Sequence, residues 1–155
     1  MTEDDIVQFV ATLPGVAAMM ASQDTGAPEV AWADWFILYD REDETPSDRR
    51  FPFATIVTKD YEGFDTFSQL NRHGVFRLNI AVGRHRFEDL MGYPPAEHKE
   101  HQPRFDYTAL DSLLPHPVYG AQAWVSILNP GDKTTGQAKS LLIEAHSRAT
   151  ERRRP

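Results

Sequence analysis

Apolar and polar residues alternate most clearly between residues 75 and 82, where the sequence reads VFRLNIAV. Every second side chain is apolar, and Arg77 and Asn79 occupy intervening positions. Because successive side chains of a strand point to opposite faces of the sheet, this pattern predicts a strand with one buried face and one half-exposed polar face. We therefore expect the side chains of Arg77 and Asn79 to emerge together on the polar face.

The remaining elements follow from the same kind of periodicity. Short apolar segments bounded by turn residues predict four further strands, at residues 16–22, 30–39, 53–59 and 121–128. Apolar residues at helical spacing predict helices at residues 2–13, 61–71, 84–91 and 138–149, with a short helical turn at 109–114. Thr2 and Asp5 have the spacing of a capping box at the start of the first helix. Residues 40–50 and 94–105 are expected to be loops.

This order of elements, αβββαββα, predicts an α+β fold. Because strands follow one another in runs along the chain, we expect a single, mostly antiparallel sheet of about five strands. The helices are expected to pack on one face of the sheet, which leaves the other face partly open to solvent or a partner. A chain of 155 residues has the usual length of one domain, so residues 1–155 are predicted to form a single α+β domain.

Composition and charge exclude several classes of function. The chain has no cysteine, which rules out disulfides, thiol catalysis and thiolate metal sites. Its first residues are acidic and no apolar run approaches 18 residues, so we expect a soluble, cytoplasmic protein without a membrane partner. The net charge of -7 argues against a general nucleic-acid binder. A basic patch formed by Arg72, Arg77, Arg84 and Arg86 is the alternative that would permit nucleic-acid binding.

Several strings in the sequence carry a family resemblance. The segments GVFRLNIAV and LLPHPVYGAQAWVSILNP, together with GFDTFSQL and the closing helix, resemble an uncharacterised actinobacterial family of about this length. The order of elements is more distantly similar to the MmcQ/YjbR-like proteins, in which a strand pair around an aromatic "WV" segment precedes a C-terminal helix. That resemblance implies a secretion-chaperone-like fold, a small bacterial α+β sandwich with an antiparallel sheet. It brings no settled activity and no catalytic residue.

A carboxylate interrupts one of the apolar segments. Asp34 lies between Trp32 and Trp35 in the predicted strand at residues 30–39. Burial of a carboxylate is unfavourable unless the group is paired or hydrogen-bonded, so we expect a bond from Arg77 or from a backbone amide. The functional alternative is an acid or base with a shifted pKa, which makes Asp34 the best single candidate for chemistry.

A second group of residues predicts a binding surface on the polar face of the sheet. If Gln122 and Trp124 emerge beside Arg77 and Asn79, the four side chains form one patch. Such a patch can hold an anionic or planar ligand, because guanidinium groups bind oxyanions and indole rings stack. The alternative is a solvated sheet face with Trp124 packed into the core.

The histidines add further candidates. His116 is flanked by prolines and followed by Tyr119, so a fixed imidazole could transfer protons near neutral pH. The structural alternative is that His116 bonds a backbone carbonyl and shapes the loop. His98 and His101 are three residues apart in a proline-bounded segment, which favours a surface loop over a zinc site. We expect no metal and no cofactor.

Two functional hypotheses remain. The sequence contains no P-loop, dinucleotide-binding or serine-nucleophile motif, so the first is a non-enzymatic module that binds a ligand or a protein. The second is a small enzyme or ligand-binding protein whose pocket uses Asp34, Arg77, His85 or His116. A pocket that collects two or more of these groups would favour the second hypothesis. A flat apolar face or a symmetric homodimer contact would favour the first.

Overall fold

A six-stranded antiparallel β-sheet forms the centre of the molecule. The computed structural model describes residues 1–40 and 51–152. The strands are β1 (Val16–Met20), β2 (Trp35–Tyr39), β3 (Ala54–Val57), β4 (Arg77–Ala81), β5 (Leu113–Pro115) and β6 (Trp124–Leu128). Their order across the sheet is β1-β2-β3-β4-β6-β5, and every neighbouring pair is antiparallel. The predicted α+β class with one antiparallel sheet is confirmed.

Four α-helices accompany the sheet within the described ranges: α1 (Glu3–Ala11), α2 (Arg84–Met91), α3 (His98–His101) and α4 (Thr135–Arg152). Helix α1 begins with the predicted capping box. The Thr2 hydroxyl accepts a hydrogen bond from the Asp5 backbone N–H, and the Asp5 carboxylate accepts one from the Thr2 backbone N–H. These bonds satisfy two amide groups that have no partner inside the helix.

One face of the sheet carries the apolar core. Fully buried residues of the four central strands form it, including Ile37, Ala54, Ile56, Leu78, Ile80, Val125 and Ile127. Helices α1 and α4 cover this face with their own buried residues, Ile6, Val10, Ala138, Leu141, Leu142 and Ala145. Each such leucine or isoleucine contributes about 1.5–3 kcal/mol relative to an exposed side chain. This one-sided packing agrees with the prediction from the order of elements, and among the described residues no α-helix covers the opposite face of the sheet.

The predicted helix at residues 61–71 is wrong. Tyr61 and Asp65 instead exchange backbone hydrogen bonds in a tight turn in which Gly63 has a φ of 78°. The carboxylate of Asp60 then accepts a bond from the Leu70 backbone N–H. Short polar side chains that bond the backbone in this way compete with helix formation, and helical spacing of apolar residues does not reveal them.

Several other boundaries differ from the prediction, and the strand expected at residues 121–128 begins only at Trp124, after a 3₁₀ turn at Tyr119–Gln122. The strand expected at residues 30–39 begins only at Trp35, because a 3₁₀ turn occupies Glu29–Ala31 and Ala33 has a φ of 73°. In place of the helical turn expected at residues 109–114, the chain forms β5 at Leu113–Pro115. The sheet therefore has six strands where about five were predicted. The loop expected at residues 94–105 contains α3 between two 3₁₀ turns. The polar loop predicted at residues 40–50 lies, apart from Asp40, outside the described residues.

Candidate functional site

The sheet face opposite the core carries a row of polar side chains. Antiparallel pairing places Phe36, Thr55, Asn79 and Ser126 side by side across four strands. Arg77 lies two residues from Asn79 on the same strand and therefore on the same face. Arg77 and Asn79 lie on the same face of the sheet, as predicted. Both side chains are almost completely buried, however, rather than half-exposed.

A concave cavity of about 750 Å³ lies over this face. Its walls are mainly aromatic and aliphatic, and include Phe36, Phe51, Val57, Phe64, Tyr119 and Trp124. Its polar lining comes from Lys59, Tyr61, Asp65, Arg77, Asn79, His116 and Gln122, with Thr55 beside them. An apolar cavity of a few hundred cubic ångströms with a small number of convergent polar groups is typical of sites for small molecules.

Arg77 is the buried cation of the cavity. Its Nη2 atom donates to Asp65 Oδ2 at 2.6 Å, and its Nη1 atom donates to Ser68 Oγ at 2.9 Å and to Asp65 Oδ1 at 3.5 Å. Its Nε atom donates to Asn79 Oδ1 at 2.9 Å. A buried guanidinium is stable only with a countercharge and satisfied donors, and Asp65 supplies both.

Asn79 connects this cation to the rest of the sheet. Its Oδ1 atom accepts bonds from Arg77 and, at 2.8 Å, from the Ser126 hydroxyl. Its Nδ2 atom donates to Thr55 Oγ1 at 3.0 Å. Because these bonds come from three neighbouring strands, the position of the guanidinium is fixed by the rigid sheet rather than by a loop.

His116 follows β5 and lies against Arg77. Its Nδ1 atom accepts hydrogen bonds from the backbone N–H groups of Val118 at 3.1 Å and Tyr119 at 2.9 Å. The structural alternative proposed from the sequence was a hydrogen bond from His116 to a backbone carbonyl. That alternative is wrong in this detail, because Nδ1 accepts from backbone N–H groups. Burial, followed by the charge of Arg77, lowers the pKa of His116 well below its usual value, so the imidazole is neutral at pH 7.

Asp34 lies behind the cavity rather than in its lining. Its Oδ1 atom accepts bonds from the backbone N–H of Thr58 at 2.9 Å and from the Thr58 hydroxyl at 3.2 Å, and its Oδ2 atom accepts one from the Tyr61 hydroxyl. The expected bond from a backbone amide is confirmed, whereas Arg77 pairs with Asp65. Burial raises the pKa of Asp34, although the bonds from Tyr61 and Thr58 oppose that shift.

Comparison with known protein families identifies the family of this sequence. The sequence model of the family described as "Family of unknown function (DUF6194)" matches residues 1–155. The chain belongs to the DUF6194 family. No curated protein matches the DUF6194 chain.

One solved structure with a similar fold is the crystal structure of Deinococcus radiodurans protein DR2400, which carries a DUF419 domain. The sequences are 15% identical, the TM-score is 0.54, and the match covers 99% of this chain and 82% of that one. At this identity the likeness concerns the fold alone. The actinobacterial origin and the kinship with MmcQ/YjbR-like proteins stay predictions.

Six of the eight binding residues predicted from the sequence line the cavity of the DUF6194 chain: Arg77, Asn79, His116, Tyr119, Gln122 and Trp124. Asp34 does not line the cavity, but it accepts a hydrogen bond from Tyr61, which does. His85 does not line it, because it is exposed on α2. Trp124 is half-buried and borders the cavity, so the alternative that packs it into the core is wrong. Ligand binding by these residues stays a prediction.

Four polar lining residues were missed: Thr55, Lys59, Tyr61 and Asp65. Lys59 continues the alternation of Thr55 and Val57 on β3, and this spacing could have placed it on the same face. Its ammonium donates to the Trp32 carbonyl. Tyr61 and Asp65 lie in the segment that was mistaken for a helix. A buried arginine requires an acidic partner, but with 23 acidic residues in the chain the sequence does not identify which one.

The four arginines proposed as a nucleic-acid patch do not form one exposed surface. Arg77 is buried, and Arg72 donates to the carbonyls of Gln69, Ser68 and Thr108. Arg86 contacts Glu144 at 3.2 Å on the opposite side of the sheet, where α2 and α4 lie. A phosphate-binding stripe of the expected composition is therefore not formed by these residues.

The histidines of α3 differ from the predicted surface loop. His98 is buried, with Nδ1 3.1 Å from the Tyr93 hydroxyl and Nε2 3.2 Å from the Pro117 carbonyl. His101 stacks on Tyr93 with ring centroids 4.0 Å apart. The ligand atoms of Glu97, Glu100 and His101 lie within 4.8 Å of one another at the surface, which is common for exposed acidic groups without a metal.

Among the described residues, no helix has both the length and the apolarity required to span a bilayer.

Proposed function

We propose that this DUF6194 domain, taken as a single α+β unit over residues 1–155, is a non-enzymatic binding module that holds a small molecule with a flat apolar body. One observation carries the proposal: a cavity of about 750 Å³ whose aromatic walls surround the buried Arg77 and His116. Cavities of roughly 300–1,000 Å³ with this composition hold drug-sized ligands. Trp124, Phe36 and Phe64 line the cavity, and aromatic rings can stack on a planar group.

The shape of the face favours a small molecule over a protein partner. The sequence hypotheses differed in whether the sheet face is flat and apolar or collects Arg77 and His116 in a pocket. The face is concave and both groups line it. Partner proteins, a homodimer and the predicted cytoplasmic location remain separate predictions.

The state of His116 supports binding rather than proton transfer. Both amide N–H groups that point at Nδ1 need its lone pair, so the proton of the neutral ring is on Nε2. A general base needs a free lone pair directed at the substrate. In this geometry Nε2, which lies 3.3 Å from Arg77 Nη2, is a hydrogen-bond donor.

A small enzyme is the second candidate, and the pair of Asp34 and Tyr61 favours it. The carboxylate of Asp34 has a raised pKa and accepts a bond from the Tyr61 hydroxyl, which lines the cavity. A tyrosine bonded to a buried acid can pass a proton to a bound molecule. Burial and Asp34 raise the pKa of Tyr61, which disfavours its ionised form.

The test is binding of neutral aromatic probes. We expect 1-naphthamide, indole-3-acetamide or biphenyl-4-carboxamide to shift the indole N–H resonance of Trp124 in a saturable way. The variant Val57→Phe fills the cavity from β3 and should abolish the shift. Val7→Phe, the same exchange at a half-buried position on α1 outside the cavity, should leave it unchanged. If no probe binds at millimolar concentration, or if Val57→Phe binds like the wild type, the proposal is wrong.

A further inference from the structure

We infer that the small molecule carries a carboxylate, and that Arg77 and His116 together bind it at the floor of the cavity. This inference rests on the proposed function and names the chemical class of the ligand. It follows from counting hydrogen-bond donors and acceptors around the two buried side chains. Both line the cavity, and both are at most 3% exposed.

Arg77 has one N–H hydrogen more than its acceptors can use. The guanidinium carries five N–H hydrogens and no acceptor. Asn79, Ser68 and the two oxygens of Asp65 take four of them. The second hydrogen on Nη2 points at His116 Nε2, 3.3 Å away.

His116 cannot accept that hydrogen in its preferred tautomer. The amides of Val118 and Tyr119 both donate to Nδ1, which places the ring proton on Nε2. The other tautomer would give Arg77 an acceptor but would set an Nδ1–H group against two amide N–H groups. Arg77 Nη2 and His116 Nε2 are therefore two donors that face each other, and no acceptor for either hydrogen is found among the described residues.

An oxygen anion in the cavity resolves this conflict. One oxygen that lies beside the two nitrogens, about 2.8 Å from each, can accept both hydrogens, and charge on the acceptor or donor strengthens each bond. The lining itself carries two cations, Lys59 and Arg77, and one carboxylate, Asp65, while the carboxylate of Asp34 lies behind the lining near Lys59. The aromatic walls then hold the rest of the molecule.

A carboxylate fits these donors better than a phosphate. Asp65 lies 2.6 Å from Arg77 Nη2 and repels a dianion more strongly than a monoanion. The two donors of Arg77 and His116 suit one carboxylate oxygen, whereas the three oxygens of a phosphate need more donors than these two side chains supply. The structure thus indicates a planar or apolar molecule that ends in a carboxylic acid group.

The experiment compares matched acids and amides on the whole protein. The acids are 1-naphthoate, indole-3-acetate and biphenyl-4-carboxylate, and the amides are those already named, so each pair differs only at the head group. We expect each acid that binds to do so at least about tenfold more tightly than its amide, the gain of a charge-assisted bond. Dissociation constants are measured by calorimetry at pH 7.

The variant His116→Asn isolates the proposed donor. The asparagine oxygen can still accept from the amides of Val118 and Tyr119, as in an Asx turn, but the distal N–H is lost. We expect the acid-to-amide ratio to fall by about tenfold, because loss of the N–H donor costs a charged carboxylate more than a neutral amide oxygen. His73→Asn, the same exchange at an exposed histidine outside the cavity, should change neither affinity.

The outcomes separate the two proposals. If amides bind and the acids bind no more tightly, the carboxylate inference is wrong while the binding function stands. If 1-naphthyl phosphate binds more tightly than 1-naphthoate, the inference is also wrong. If no probe binds, both fail. Should His116→Asn not fold, the wild-type Nε2–H resonance of His116 decides, because an acid must shift it further than the matched amide does.

Discussion

The variant Asp65→Asn tests whether the cavity floor is held together by one buried ion pair. The Arg77 guanidinium and the Asp65 carboxylate are 3% and 8% exposed and lie 2.6 Å apart. At an effective dielectric constant of about 20, charges at this separation attract by about 6 kcal/mol. Asparagine retains one acceptor oxygen but removes the countercharge and sets an amide N–H group against the guanidinium.

We expect this exchange to lower the free energy of unfolding by about 3–5 kcal/mol, the usual effect of leaving a buried charge without its partner. For 155 residues the entropy of unfolding is about 0.3 kcal/mol/K, so the midpoint should fall by roughly 10–15 °C. Urea unfolding and calorimetry at pH 7 give both quantities. Since whole domains are stable by only about 5–15 kcal/mol, the effect is large.

The control is the same carboxylate-to-amide exchange at the surface. Glu144 contacts Arg86 at 3.2 Å, and both side chains are about half-exposed. Exposed pairs contribute about 0–1 kcal/mol, so Glu144→Gln should change stability by less than 1 kcal/mol. If Asp65→Asn is as mild as Glu144→Gln, water in the cavity already solvates Arg77, and our description of a desolvated cation is refuted.

Three further predictions concern other parts of the site. Burial raises the pKa of Asp34, so the folded state favours the protonated form of this carboxyl group. The stability of the wild type relative to Asp34→Asn should therefore fall as pH rises above about 4. Urea unfolding from pH 3 to 7 measures this difference in stability, and a constant or rising difference would contradict the prediction. Nitrogen-15 NMR of the free protein should show His116 as the neutral Nε2–H tautomer at pH 7, and an Nδ1–H signal would exclude our assignment. Gly120→Ala should destabilise the fold by about 1–3 kcal/mol, because a Cβ there lies 2.6 Å from the bonded ring of His98, whereas Gly136→Ala meets no atom and should be neutral or stabilising; equal thermal midpoints for the two variants would disprove the close contact.

Period-two alternation predicted the central strand correctly because β4 is paired on both sides. A slip of one residue would move Leu78 into the cavity and Arg77 into the apolar core, so the pattern specifies the register strongly. For the same reason the alternation placed Arg77 and Asn79 on one face, whereas Trp124 joined them only as a condition. Their assembly into a cavity depended on loops whose paths the pattern does not encode.

The misassigned segment shows where sequence reasoning failed. Phe64, Phe67 and Leu70 have helical spacing, yet only Leu70 is buried in the described structure. The path is set by Asp60, whose carboxylate bonds the Leu70 amide, and by Asn71, whose side-chain oxygen accepts from the Asp60 amide. The partner of Arg77 was missed as a consequence, because Asp65 lies in this turn.

The burial of Arg77 gives a further way to separate stability from function. A buried ion pair contributes little to stability compared with apolar residues of similar volume, so the fold itself does not require a cation at the centre of β4. Its role is then to be sought at the cavity, where it supplies a fixed donor.

The double variant Arg77→Met, Asp65→Asn tests this directly. Removing the cation together with its countercharge leaves no buried charge unpaired, so we expect stability to recover by at least about 2 kcal/mol relative to Asp65→Asn alone. In the same protein the acids should lose their advantage over the amides, while the amides still bind through the aromatic walls. Urea unfolding and calorimetric titration measure the two effects. A double variant that stays as unstable as Asp65→Asn, or that still prefers acids, would show that Arg77 serves the fold rather than the ligand.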